Sequence, residues 1–197
     1  MQDGRAACRD TGGGMRLAVL VALGAVLLAA DAALAWETIT PHRATAYVVR
    51  VEEGNLIAVS EHWRRKTPDY AVSLYGIGMP TDEQPFGRET RDELMRLLPP
   101  GTKVILSIVG SDAEGVVSAL VQVKDRSVNN LLVEKGLAWV DRSTCRAMLC
   151  RRWHIQEHGA VKARRGVWSL NMSSPPWQWV GKSGTPLKRR PTGSSHE

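Results

Sequence analysis

The chain is short of aromatic residues of the usual kind. One Phe and three Tyr in 197 residues exclude a core built on phenyl rings, and seven Trp must supply that bulk instead. Three Cys are too few to staple a small loop-rich framework. No apolar run reaches the roughly 20 residues that a membrane-crossing helix needs, because the longest, Leu17 to Ala30, has fourteen. Acidic residues are scarce late in the chain, where only Glu157 and Glu197 follow Asp141. What remains is 43% hydrophobic and 23% charged, a balance that excludes disordered, collagen-like and multi-span membrane proteins. The length suits one domain better than two.

The N-terminus reads as an address. Arg16 precedes the apolar run and Ala33-Leu34-Ala35 follows it, the pattern of a secretory signal peptide. The expected leader is residues 1–35, cleaved between Ala35 and Trp36, with Met15 a possible true start. The competing reading is a retained anchor, which the short run and Asp31 oppose. Cleavage yields an exported product, periplasmic or secreted. Cys8 leaves with the leader, so Cys145 and Cys150 face an oxidising compartment and are expected to form a disulfide, against the alternative of two free buried thiols. Residues five apart in an unbroken helix point about 140° away from each other. Bridging therefore needs Cys145 in the turn before a helix that starts near Arg146 or later.

Charge is unevenly spread. The net charge is +6. Residues 36–141 hold 12 basic and 15 acidic residues, whereas residues 142–197 hold 11 basic and two acidic. A basic last third can attract nucleic acid, anionic lipid or an acidic protein. It can equally be a solvated helix face followed by a basic tail.

Periodicity predicts five strands and three helices. Ala46–Glu52 is rich in β-branched and aromatic residues, Glu53-Gly54-Asn55 reads as a turn, and Leu56–Val59 returns as the second strand of a hairpin. Glu61–Asp69 is a polar, basic loop. Tyr70–Ile77 alternates as a third strand, ended by Gly78-Met79-Pro80. A helix over Gln84–Leu98, capped by Thr81 or Asp82, stops at Pro99-Pro100-Gly101. Val104–Val109 and Val116–Val123 are further strands. Val128–Lys135 is a short helix that Gly136 ends. Leu149, Trp153, Gln156, Ala160, Ala163 and Val167 recur at three and four, predicting an amphipathic helix over residues 146–165 closed by Gly166. The expected class is α+β, mainly β: a five-stranded OB-fold barrel with three packed helices. It spans residues 36–180, with a basic flexible tail at 181–197.

Several stretches together resemble the staphylococcal (micrococcal) nuclease-like, or thermonuclease, domain. They are VEEGNLIAV at 51–59, VSLYGIGMP at 72–80, QPFG at 84–87, SVNNLLVEKGLAWV at 127–140, RRGVW at 164–168 and PPWQW at 175–179. The resemblance covers residues 44–180. It implies a calcium-bound water that attacks a phosphodiester, held by two acidic ligands, with a general-base Glu and two Arg for the developing charge. Placed residue by residue, the two metal ligands fall at Asn55 and Gly78, the general base at Thr81 and the two arginines at Ser73 and Val116. None of the five keeps the required chemistry. No catalytic residue, no metal ligand and no cofactor is therefore expected, calcium included, since that ion wants several oxygens, mainly carboxylate. The loss of one charge-stabilising donor alone typically costs ~10²–10³ in rate.

Two other patterns carry chemistry. His154-Ile155-Gln156-Glu157-His158 matches H-x-x-E-H, but two histidines lack the third protein ligand of a zinc site. The resemblance makes Glu157 a structural helix residue, and solvent-facing histidines are the expectation. Trp63-Arg64-Arg65-Lys66 places an aromatic among cations, suited to stacking a base and holding phosphates, to a protein contact, or to a plain soluble loop tip. Trp139, Trp153, Trp168, Trp177 and Trp179 are expected in core and tail packing. The function that follows is an exported binding or scaffold module. Its expected partner is a protein of the cell envelope, then single-stranded nucleic acid, then an anionic membrane surface approached through the tail from Lys182 to Arg190. The enzymatic alternative is a metal-dependent nuclease with a relocated centre that uses Glu52, Glu53, Asp82 or Glu83.

Overall fold

The computed structural model describes residues 42–145, 148–170 and 174–179, all within one compact unit that spans Pro41–Glu197. The expected leader, the start of the third helix at Arg146 and the basic tail lie outside the described residues.

Five strands make the barrel. β1 (His42–Val51), β2 (Leu56–Ser60) and β3 (Tyr70–Leu74) form an antiparallel meander. β4 is the two-residue piece Ile77–Gly78. β5 (Lys103–Ser111) pairs with β1, and β6 (Val117–Val123) pairs with β5. A parallel contact of β3 with β6, Val72 opposite Val117, closes the ring. Closure removes the exposed edges of an open sheet. Register shifts between Val48 and Arg50 and between Ile108 and Gly110 bend the two long strands around it, as β-bulges do. Alternating positions fill the interior: Ala46 and Val48, Ile57 and Val59, Val72 and Leu74, Val104 and Leu106, Ala119 and Val121 are all buried.

Helices cover the barrel. α1 (Gly87–Leu97) buries Leu94, and Leu98 follows it into the core. The two-residue β7 (Arg126–Ser127) leads into α2 (Val128–Glu134), where Ser127 caps the helix by accepting the Asn130 N–H. α2 carries Asn129, fully buried. Its Oδ1 accepts the Val121 N–H at 3.0 Å and its Nδ2 donates to the Tyr75 carbonyl at 3.0 Å. One amide thus ties a barrel strand to the β3–β4 turn. β8 (Trp139–Val140) pairs with β4, and α3 (Met148–Lys162) packs Cys150, Trp153 and Ala160 inward. Short 3-10 turns at Gly166–Ser169 and Pro176–Gln178 follow. Among the described residues the buried hydrophobic side chains all lie between Ala46 and Val167.

Three expectations are corrected. The third strand does not run through Tyr70–Ile77: it breaks after Leu74, because Gly76 turns the chain at φ 71°. The first helix starts at Gly87, not Gln84. Neither Thr81 nor Asp82 caps it, and its N-cap is Phe86 in the left-handed region without a side-chain cap. The residues before it are spent on two turns, in which Gln84 N–H donates to Thr81 O and Gly87 N–H to Gln84 O. The third helix ends at Lys162, and Ala163 of the apolar pattern lies exposed in the turn that leaves it.

Candidate functional site at the barrel mouth

A cavity of about 300 Å³ opens at the end of the barrel. Four of the five positions singled out by resemblance line it: Asn55, Ser73, Gly78 and Thr81. The fifth does not. Val116 is buried just before β6, with its N–H donating to Asp112 Oδ1.

Each residue has a local task. Asn55 lies in the β1–β2 turn, and its Nδ2 donates to the carbonyls of Leu74 at 3.2 Å and Ile77 at 3.0 Å. The Ser73 hydroxyl lies 3.5 Å from the Val117 carbonyl across the parallel junction. Thr81 N–H donates to Gln84 Oε1, and Gln84 Nε2 donates to the Ser174 carbonyl at 3.1 Å. Buried Gln84 therefore holds the C-terminal segment over the mouth. That segment brings Trp177 onto Gly78. A Cβ at position 78 would stand 2.4 Å from Trp177 Cζ3 and 2.9 Å from Pro176 Cγ, so only glycine leaves room for the indole.

Among the described residues that line the cavity there is no Lys, Arg or His, while Glu53 and Asp141 are acidic. This lining offers no cation to a phosphate. The amide of Asn55 turns its hydrogens to the backbone, and an indole stands where a second ligand would project. The neighbouring acids are engaged as well. Glu52 pairs with Arg50 at 2.7 Å, Glu53 accepts the Asp82 N–H at 3.2 Å, and Asp82 pairs with Arg91. Glu83 is exposed. Among the described residues no three His, Cys, Asp or Glu gather as a metal would need.

The H-x-x-E-H stretch lies on α3. Glu157 is buried, accepting the Val140 N–H at 2.8 Å and an Arg142 guanidinium at 3.2 Å. It ties α3 to β8. His158 is exposed, but His154 is not simply solvent-facing: it is half-buried, with Nδ1 at 3.9 Å from Glu157 Oε2. The disulfide joins Cys145, before α3, to Cys150 in its first turn, with Cα atoms 5.7 Å apart.

The loop between β2 and β3 presents Trp63, 59% exposed. Arg64 adopts φ 64° and lays its guanidinium 4.1 Å from the Trp63 ring centre, a cation–π arrangement. Arg65 pairs with Asp69 at 2.5 Å, and Lys66 is exposed. The Glu61 N–H, the Ser60 hydroxyl and Arg65 together hold the Asp69 carboxyl down at about 2. Of the other tryptophans, Trp139 and Trp153 are buried, whereas Trp168, Trp177 and Trp179 are half-buried. Sequence reasoning did not foresee the pairing of Trp177 with Gly78. Its trace is the conjunction of PPWQW with a glycine at an expected side-chain position.

A closed mixed barrel of five strands with three helices among the described residues, and a cavity at its mouth, defines the class: an OB-like barrel of nuclease type. Residues 71–170 match the family model described as staphylococcal nuclease homologue, and the chain belongs to that family. It is 31% identical over 134 residues to an uncharacterized endonuclease of Escherichia coli, covering 67% of this chain and 82% of that protein. It is 26% identical over 110 residues to the staphylococcal-like nuclease CAN1 of Arabidopsis thaliana, covering 56% of this chain and 33% of the relative. An uncharacterized 38.1 kDa protein of Capnoides sempervirens is 28% identical over 110 residues, with 31% of its length covered. The chain thus spans about a third of these plant relatives.

Proposed function

We propose that this nuclease-family domain has lost phosphodiester hydrolysis and acts as an exported binding or scaffold module. One observation carries the proposal. The cavity where the four positions meet has acidic side chains and no cation among its described lining residues, and Trp177 fills the space at Gly78. Phosphoryl transition states need preorganised cations, and a phosphate groove needs positive potential. Against the enzymatic alternative, Glu53 spends one oxygen on the Asp82 N–H and Asp82 spends Oδ2 on Arg91. The favoured partner is an envelope protein, with single-stranded nucleic acid next. The loop from Trp63 to Lys66 is the contact surface for either, since one face of Trp63 stays open beyond the cover of Arg64.

The test is fluorescence anisotropy of a labelled single-stranded oligonucleotide with the protein from Trp36 onward, in calcium and across a salt series. A stable signal that weakens with salt supports nucleic-acid binding, and its slope counts phosphate contacts. The absence of signal at low salt directs the search to a protein. Fragmentation of the probe that disappears in Glu53→Ala or Asp82→Ala overturns the proposal.

A further inference from the structure

The outer face of α3 combines apolar and basic side chains. Fifteen residues make a rod of about 22 Å, bounded by Met148 and Lys162. Cys150, Trp153, Glu157 and Ala160 point inward and are buried. At the complementary three- and four-residue spacing stand Met148, Arg151, Arg152, Ile155, His158 and Lys162, every one exposed. Met148 is 83% exposed and Ile155 74%, two turns apart on one line. Arg151, Arg152 and Lys162 have no acidic partner among the described residues. The face carries no acid, because Glu157, the only acid between Arg142 and Leu170, lies on the buried side.

We propose that this face is a docking surface for an anionic lipid bilayer, with Met148 and Ile155 entering the headgroup boundary and Arg151, Arg152 and Lys162 meeting lipid phosphates. Charge complementarity selects a polyanion. The two apolar side chains select among polyanions, since nucleic-acid phosphates give an exposed Ile or Met nothing to bury against, whereas an interfacial helix uses both kinds of side chain. The disulfide holds the first turn of α3 to the chain before it, which keeps Met148 and Arg151 on a fixed element. The site lies apart from the barrel mouth and does not depend on whether the cavity hydrolyses anything.

The experiment uses the protein from Trp36 onward, so that the apolar leader contributes nothing, with its fold checked by melting temperature. Co-sedimentation is measured with vesicles of phosphatidylcholine alone and of phosphatidylcholine with phosphatidylglycerol, at low and high salt. Binding is expected only to the anionic vesicles. Each cation near the surface is worth about a fivefold factor, so Arg151→Glu with Arg152→Glu should weaken binding by more than about 25-fold. Met148→Ser with Ile155→Ser should weaken it about tenfold while leaving heparin binding unchanged. All four side chains are exposed, so the melting temperature should hold. The proposal is overturned by absence of binding to anionic vesicles at low salt, or by binding unchanged in either double variant. It is also overturned if deletion of residues 181–197 alone abolishes binding, which would place the contact in the tail. Equal loss of vesicle and heparin binding in the Met148/Ile155 variant overturns it too, as the mark of a nucleic-acid or protein surface.

Discussion

The Asn55 side chain donates to two backbone carbonyls, and both bonds need hydrogens that an aspartate lacks. The amide is therefore fitted to hold the β3–β4 turn. Gly78 is fitted in the same sense to Trp177. Gly78→Asp should displace the indole, lowering the melting temperature and shifting tryptophan emission to longer wavelength. Trp177→Ala in the same chain should relieve most of that loss, since residues in contact are not additive. Additive effects in the double variant would show that the two side chains do not compete for one space. Asp69 supplies a pH test. Its carboxyl titrates at about 2, against an ordinary value of 3.8. A depressed carboxylate stabilises the folded loop above the ordinary value, and that contribution is lost as pH falls toward the depressed one. The loop at Trp63 should therefore loosen between about pH 4 and pH 2. The fluorescence difference between the wild type and Trp63→Phe reads this step, and Asp69→Asn should remove it.

At the scale of elements, α3 hangs on two ties, the disulfide at its start and Glu157 at its middle. The loop closed by Cys145–Cys150 is short, so loop entropy gives it only about 2 kcal/mol. Reduction should lower the melting temperature by several degrees and speed amide exchange in the first turn of α3, leaving barrel amides protected. Exchange throughout the barrel on reduction would mean that the bridge supports the whole fold. The spacing of Leu149, Trp153 and Ala160 made this helix legible, and chain geometry placed Cys145 ahead of it. The start of α1 was not legible. Thr81 and Asp82 are good caps by type, but Gln84 turns its side chain back to Thr81 N–H, and two successive turns take up the residues a cap would have led into. The break in the third strand was hidden for a similar reason. Tyr75 and Gly76 keep the alternation of a strand, while the Tyr75 N–H goes to Ala119 O instead of to β2.

Across the whole molecule the barrel was readable because its strands alternate and its turns carry Gly, Asn and Pro, a local signal. The site was readable only as a set of positions marked by resemblance, because the contact that shapes it comes from far along the chain. Trp177 reaches Gly78 through the Gln84–Ser174 bond, and no local pattern announces such a contact. The charge distribution was equally plain in sequence, and its consequence belongs to this scale. Acidic residues exceed basic ones in the barrel half, yet among the described residues no three of them gather, and Glu52 and Asp82 are paired with Arg50 and Arg91. A cation that bound the native state alone would stabilise it, by about 2.7 kcal/mol at one hundred times its dissociation constant, which is worth roughly 5–10 °C in melting temperature for a domain of this size. Millimolar calcium is expected to move the melting temperature of this protein by less than about 1 °C, and a chelator by no more. A rise of several degrees, lost in Glu53→Gln or Asp82→Asn, would mean that scattered acids regroup around the ion, and the barrel would then have to be treated as a metal-binding nuclease after all.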